Sequence, residues 1–117
     1  MTSKELMYAA VKALDSKKAT DIVALHVRDL TIVSDYFVIA SGSSNTQVKT
    51  LADELEFQLS ENGVKPLRVE GYQGGNWIVV DYGDVVVHVF HNQTREFYSL
   101  ERLWSDAQAV ELDDILQ

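Results

Sequence analysis

Gly71-Tyr-Gln-Gly-Gly-Asn-Trp-Ile-Val-Val-Asp-Tyr-Gly-Asp-Val-Val-Val-His-Val-Phe90 reads as a loop followed by a tight β-hairpin. Alternation along the first strand separates Ile78 and Val80 from Trp77, Val79 and Asp81. Along the second strand it separates Val85, Val87 and Val89 from Val86, His88 and Phe90. A two-residue turn within Tyr82, Gly83 and Asp84 pairs the strands with matching parity, whichever two residues form the loop. One face of the hairpin is then wholly aliphatic and belongs in a core. The other carries a Trp, an Asp, a His and a Phe. That mixture does not suit a solvated face, and it is the place to look for function.

Upstream of the hairpin, Thr2-x-x-Glu5 is a capping box that opens a first helix, with Leu6, Met7, Ala10, Val11 and Leu14 as its core stripe. That helix is expected to fray near Asp15 to Lys18. Asp21 to Val27 and Ser34 to Ala40 read as strands, the second one buried, with residues 28–33 as a turn between them. Ser44-x-x-Gln47 opens a long helix whose inner face is Val48, Leu51, Ala52, Leu55 and Leu59, and Gly63 is placed to end it. Phe57 lies on the opposite face and reads as a lone exposed apolar residue rather than a subunit contact. After Pro66 comes a short strand over Leu67 to Glu70, then the hairpin. His91-Asn-Gln-Thr reads as a polar break, and Arg95 to Trp104 as short helical turns in which Phe90, Leu103 and Trp104 close the core. The order of elements predicts one α/β domain, a mixed β-sheet flanked by helices, over residues 1–104. Residues 105–117 are expected to be an extended or disordered acidic tail in which Val110, Leu112 and Ile115 dock weakly.

At 117 residues the chain holds one core. No apolar run approaches the roughly 20 residues of a membrane span, and the N-terminus lacks a signal-peptide core. The absence of cysteine removes disulfides, thiol nucleophiles and thiolate metal sites, and a cytoplasmic location is expected. Eighteen acidic against ten basic residues give a net charge of −8, half of it carried by the four acids of the tail. A protein that grips nucleic acid through phosphates needs a basic surface, so the expected partner is instead a basic protein, without sequence-specific nucleic-acid binding.

Ser41-Gly-Ser-Ser leaves a strand and opens a helix, where backbone N–H groups can hold phosphate, much as at the Gly-Ser entrance of nucleotidyltransferases. Two-metal chemistry there also needs two carboxylates at i and i+2 on a strand. Glu54 and Glu56 have the spacing but sit on a helix. Glu111 and Asp113 have it only in the tail, and Asp81 is followed two residues on by Gly83. His88 and His91 point to opposite faces, and no histidine cluster specifies a metal. Neither a catalytic residue nor a cofactor is therefore assigned, and the chain is expected not to be an enzyme. Trp77, with Asp81 and His88 nearby and Tyr98 to Trp104 along its border, has the make-up of an interface anchor.

Five segments together carry a resemblance. They are Asp35-Tyr-Phe-Val-Ile; Gly42-x-Ser44-x-x-Gln47; Glu70-Gly71; Gly75-x-Trp77-x-x-x-Asp81-Tyr-Gly-Asp-Val-Val-Val-His88; and Arg95-x-Phe-Tyr98-x-Leu-Glu101-x-Leu-Trp104. From about residue 4 to residue 106 the chain resembles the ribosomal silencing factor, or Iojap, family. The resemblance implies a nucleotidyltransferase-like fold without the catalytic carboxylates. It implies binding to the large ribosomal subunit through ribosomal protein L-fourteen, which blocks joining of the small subunit and represses translation when nutrients are scarce. It also implies a homodimer in the free state. Carried onto matching positions, the contact residues are Trp77, Asp81, His88, Tyr98, Leu100 and Glu101. A large-subunit assembly factor is the alternative with the same partner, and a nucleotidyltransferase-type enzyme the more distant one.

Overall fold

A computed structural model describes residues 1–28 and 34–116, with Leu103 described by its backbone only. The turn expected over residues 28–33 lies, but for Arg28, outside the described residues, as does the side chain of Leu103. The hairpin strands are β4 (Trp77–Asp81) and β5 (Val85–His91). They pair antiparallel, Trp77 opposite Phe90, Val79 opposite His88 and Asp81 opposite Val86, so the two faces divide as the alternation predicts. Gly83 and Asp84 form the loop, closed by the Tyr82 N–H on the Val85 carbonyl at 2.9 Å. Gly83 sits at φ +87°, a conformation that glycine adopts without cost.

Around the hairpin lie α1 (Ser3–Ser16), β1 (Thr20–His26), β2 (Tyr36–Gly42), α2 (Asn45–Glu61) and β3 (Arg68–Glu70) before it, and α3 (Asn92–Tyr98), α4 (Leu100–Leu103) and β6 (Gln108–Ala109) after it. The sheet order is β3-β4-β5-β2-β1-β6. Its central pair, β2 with β5, is parallel and the other pairs are antiparallel, so the sheet is mixed as expected. Sequence punctuation accounts for the helix ends. Thr2 and Glu5 form the reciprocal capping box on α1, Glu5 N–H to Thr2 Oγ1 at 3.1 Å and Thr2 N–H to Glu5 Oε1 at 2.8 Å. Ser44 caps α2, and Gly63 at φ +77° lets the Val64 N–H reach back to the Leu59 carbonyl.

The aliphatic face of the hairpin packs under α1 and α2. Ile78, Val80, Val85, Val87 and Val89 meet Met7, Val11, Leu14, Leu51, Leu55 and Leu59 there, all fully buried. The second face is not open either. α3, α4 and the segment after them cover it with a smaller cluster, in which Leu25, Val27, Ile39 and Phe90 are buried against Phe37, Trp77, Leu100, Trp104 and Ala107. The expected polar break at His91 is a strand-to-helix junction. His91 ends β5, and its Nδ1 accepts the Gln93 N–H at 3.3 Å, so α3 begins at once, three residues before the expected Arg95.

The tail docks more firmly than its composition suggests. β6 pairs with β1, the Val110 N–H bonds the Ala24 carbonyl at 2.9 Å, and Leu112 and Ile115 are buried in the main core. Its acids Asp106, Glu111, Asp113 and Asp114 all face solvent. Leu112→Ala should therefore lower the free energy of unfolding by about 2 to 3 kcal/mol, the range for an apolar truncation in a packed core. A urea unfolding midpoint unchanged in the variant would show that the tail contributes no core.

Candidate protein-interaction surface

Trp77 opens β4 and is half-buried. Its indole stacks on Phe90 with ring centroids 4.9 Å apart and an interplanar angle of 25°, and Tyr98 of α3 leans against it at 4.8 Å. The loop before it is built for close approach. Gly71 has φ +82°, and a Cβ there would collide with the Trp77 carbonyl oxygen. Asn45, in the first turn of α2, ties this loop down by donating to the Gly74 carbonyl at 3.0 Å. Beside Trp77 lies a shallow cleft of about 470 Å³, walled by Phe97 and Tyr98 and floored by Gly71, Gly74, Asn76, Gln93 and Thr94. Phe97 is 82% exposed and Tyr98 51%. Two aromatic rings that far into solvent beside a half-buried Trp form an apolar patch of the kind that partners cover.

The six expected contact residues are not one patch. Trp77 and Tyr98 touch across the cleft wall, and Leu100 packs below them against the second core. His88 is buried, with only 8% of its surface exposed. It lies diagonally across the hairpin from Trp77, and its Nδ1 accepts the Trp77 Nε1–H at 3.1 Å. Asp81 sits at the far end of β4, about 13 Å along the strand at the usual rise. One of its oxygens accepts the Gly83 N–H at 2.8 Å and the other meets Arg68 at 3.2 Å, so the carboxylate secures the turn and the edge strand. Glu101 is held from within by Arg95, in a fork of 2.9 and 3.4 Å.

Arg95 was visible in the sequence only as part of a motif, yet it organises this end of the molecule. It is buried, and its remaining guanidinium nitrogen donates to the Asp21 carbonyl at 2.6 Å and Ser41 Oγ at 2.8 Å. One side chain thus ties α3 to α4 and both to the ends of β1 and β2. Asp21, at φ +50° in the bulged start of β1, presents that carbonyl to the guanidinium. Phe97 escaped sequence reasoning because helical spacing cannot tell an inward aromatic from an outward one on so short a helix. At the start of α2, the Ser43 and Gln47 N–H groups are taken by Gln47 Oε1 and Ser44 Oγ, at 2.6 and 3.0 Å. Among the described residues no group of three His, Cys, Asp or Glu converges as for a metal.

Electrostatics follow burial. Desolvation holds His88 well below its ordinary value, at about 4, against a weaker opposing pull from Asp81. Burial pushes the Glu101 carboxyl up, but hydrogen bonding and charge from Arg95 outweigh it and leave the group below the usual range. Unfolded, His88 takes up a proton below about 6.5; folded, it resists until about 4. Between those values the unfolded state binds more protons, so stability is full above 6.5 and falls as the pH falls. His88 alone should remove about 2 kcal/mol between pH 7 and pH 5, measurable by urea unfolding, and His88→Asn should flatten that dependence. Arg95→Lys, which cannot form the fork, should cost about 3 kcal/mol at neutral pH. An unchanged unfolding midpoint there would show that the Arg95 fork does not hold α3 and α4 in place.

Comparison with known proteins agrees with the resemblance. The family described as "Ribosomal silencing factor during starvation" matches residues 1–117. The protein named Ribosomal silencing factor RsfS of Halalkalibacterium halodurans is 44% identical over 116 residues, which is 99% of both chains. A crystal structure of a Chromobacterium violaceum protein, 40% identical, superposes with a TM-score of 0.88 over 90% of this chain and 88% of that one. A mouse protein named Mitochondrial assembly of ribosomal large subunit protein 1 is 32% identical over 98 residues, or 81% of this chain, which spans 43% of that longer protein. The chain belongs to the ribosomal silencing factor family.

Proposed function

We propose that this protein represses translation by binding ribosomal protein L-fourteen on the large ribosomal subunit and blocking, by its bulk, the approach of the small subunit. The observation that carries the reading is the aromatic cleft, in which half-buried Trp77 is flanked by Tyr98 and by Phe97 at 82% exposure. Such a cleft suits an apolar side chain presented by a basic protein. The net charge of −8 favours a basic protein over exposed rRNA and steers the approach to it. Exclusion at a subunit interface requires no bond-making step, so in this reading the protein acts without catalysis or cofactor. The unbound chain is a cytoplasmic homodimer in the same reading.

The name of the mouse relative supports a second reading, an assembly factor that engages immature large subunits. Both readings predict co-sedimentation with isolated large subunits and not with small ones. They part when small subunits are added: a silencing factor lowers the yield of joined ribosomes, and an assembly factor is left behind on precursor particles. Failure to bind either subunit would sink both. Phe97→Ala should weaken large-subunit binding by about 1 kcal/mol or more, and Trp77→Ala by about 2 kcal/mol or more. Because Phe97 packs so little against its own chain, its loss should leave the unfolding curve unchanged, which separates an interface effect from a folding effect. Normal binding by both variants, each shown to be folded, would place the contact elsewhere.

A further inference from the structure

We propose that His88 is a positioning residue for the interaction surface: it accepts the Trp77 indole N–H and so holds the ring in the one orientation that shapes the aromatic cleft. The inference rests on reading Trp77 as a partner contact and goes beyond it by saying what sets the presentation of that ring. His88 at 8% exposure lies beneath the surface rather than on it, so its effect on a partner passes through Trp77.

Three observations converge on this role. The first is tautomeric. An indole nitrogen can only donate, so the 3.1 Å contact makes His88 Nδ1 the lone-pair acceptor and puts the ring proton on Nε2. The second is that Nε2, buried, has no hydrogen-bond partner among the described residues. The imidazole packs against Phe37 at 5.2 Å and near Phe90 at 6.3 Å, surroundings that a Leu or Phe side chain would fill without burying a ring nitrogen. What the imidazole supplies and those side chains would not is an acceptor aimed at Trp77.

The third observation concerns the other contacts of the indole. Stacking on Phe90 and leaning on Tyr98 restrain the plane of the ring, but neither contact gives its N–H an acceptor. The hydrogen bond to His88 supplies that acceptor. It turns the N–H edge inward, so the rest of the indole can face the cleft without a donor that the partner must satisfy. The ligand implied is an apolar side chain of a basic protein, because the polar end of the anchor is already occupied.

The test begins with the intact protein. Nitrogen-15 spectra of its histidine rings should show His88 as the Nε2–H tautomer, and the Trp77 indole proton, assigned with Trp104→Phe, should exchange slowly with solvent. The opposite tautomer, or exchange at the rate of a free indole, overturns the proposal whatever happens to any variant. His88→Asn places an amide oxygen near the Nδ1 position, while His88→Gln extends past it towards Nε2. The Asn variant should keep the protected indole signal and bind isolated large ribosomal subunits within about twofold of the parent. Gln should lose the protection and bind about tenfold more weakly, a change of about 1.4 kcal/mol. Equal indole protection and equal affinity in folded Asn and Gln variants would overturn the assignment. Normal binding by Trp77→Ala would overturn the surface reading instead, and with it the functional half of this proposal, while the tautomer and exchange measurements still decide whether His88 holds the ring.

Discussion

The loop of Gly83 and Asp84 is the constraint on which the rest of the molecule turns. Asp81 Oδ1 captures the Gly83 N–H from within the hairpin. From outside, Ser34 Oγ donates to the Gly83 carbonyl at 2.7 Å, and the Asp35 and Tyr36 N–H groups both donate to the Asp84 carbonyl. The same two residues therefore set the antiparallel register of β4 on β5 and deliver the start of β2 to the start of β5, where Tyr36 pairs with Val85 in parallel. A slip of β5 by one residue against its neighbours would move Val85, Val87 and Val89 out from under α1 and α2 and put His88 and Phe90 in their place. Few turns are held from both sides in this way, and the sorting of the two faces follows from it.

That sorting was legible in the sequence because it depends on a period of two and a short loop, both local. The helix caps were legible for the same reason: Thr2 with Glu5, Ser44 and Gly63 act within one turn of their own chain. What lies over the second face was not. Its cover is placed by Arg95, whose bond to the Asp21 carbonyl spans 74 residues, and no local pattern announces such a partner. The burial of His88 and the internal pairing of Glu101 are consequences of that cover, and neither residue type nor motif announces them. The tail misleads differently. Its four acids look like a solvated end, and they are solvated, but Leu112 between them and Ile115 just after them face the core.

The hub at Arg95 and the anchor at Trp77 use buried polarity for unlike ends. Arg95 satisfies all of its contacts: a fork on Glu101, a carbonyl and a hydroxyl. Removing it would leave several groups unpaired at once, which makes α3 and α4 a rigid pair rather than two short helices of marginal stability. His88 is half satisfied, bonded at Nδ1 and not at Nε2 among the described residues. A fully bonded group contributes to rigidity; a half-bonded one costs stability and is hard to explain by packing. The contrast between them, a few residues apart in one small layer, argues that the arrangement under Trp77 answers to the surface above it.

Seen from that surface, the polar end of the Trp77 anchor has its partner before anything docks. The Trp77 N–H is on His88, and farther out Asp81 holds Arg68 and Gly83 while Glu101 holds Arg95. Docking on the aromatic patch then strips water from carbon more than from unpaired polar atoms, the condition under which a small apolar patch can anchor a complex. The acidic charge works at another range. On the proposed reading its effect is on the rate and direction of approach to a basic partner, while the depth of the bound state is set by Trp77, Phe97 and Tyr98. Dividing the two tasks lets an acidic domain carry an uncharged anchor without burying a charge to use it.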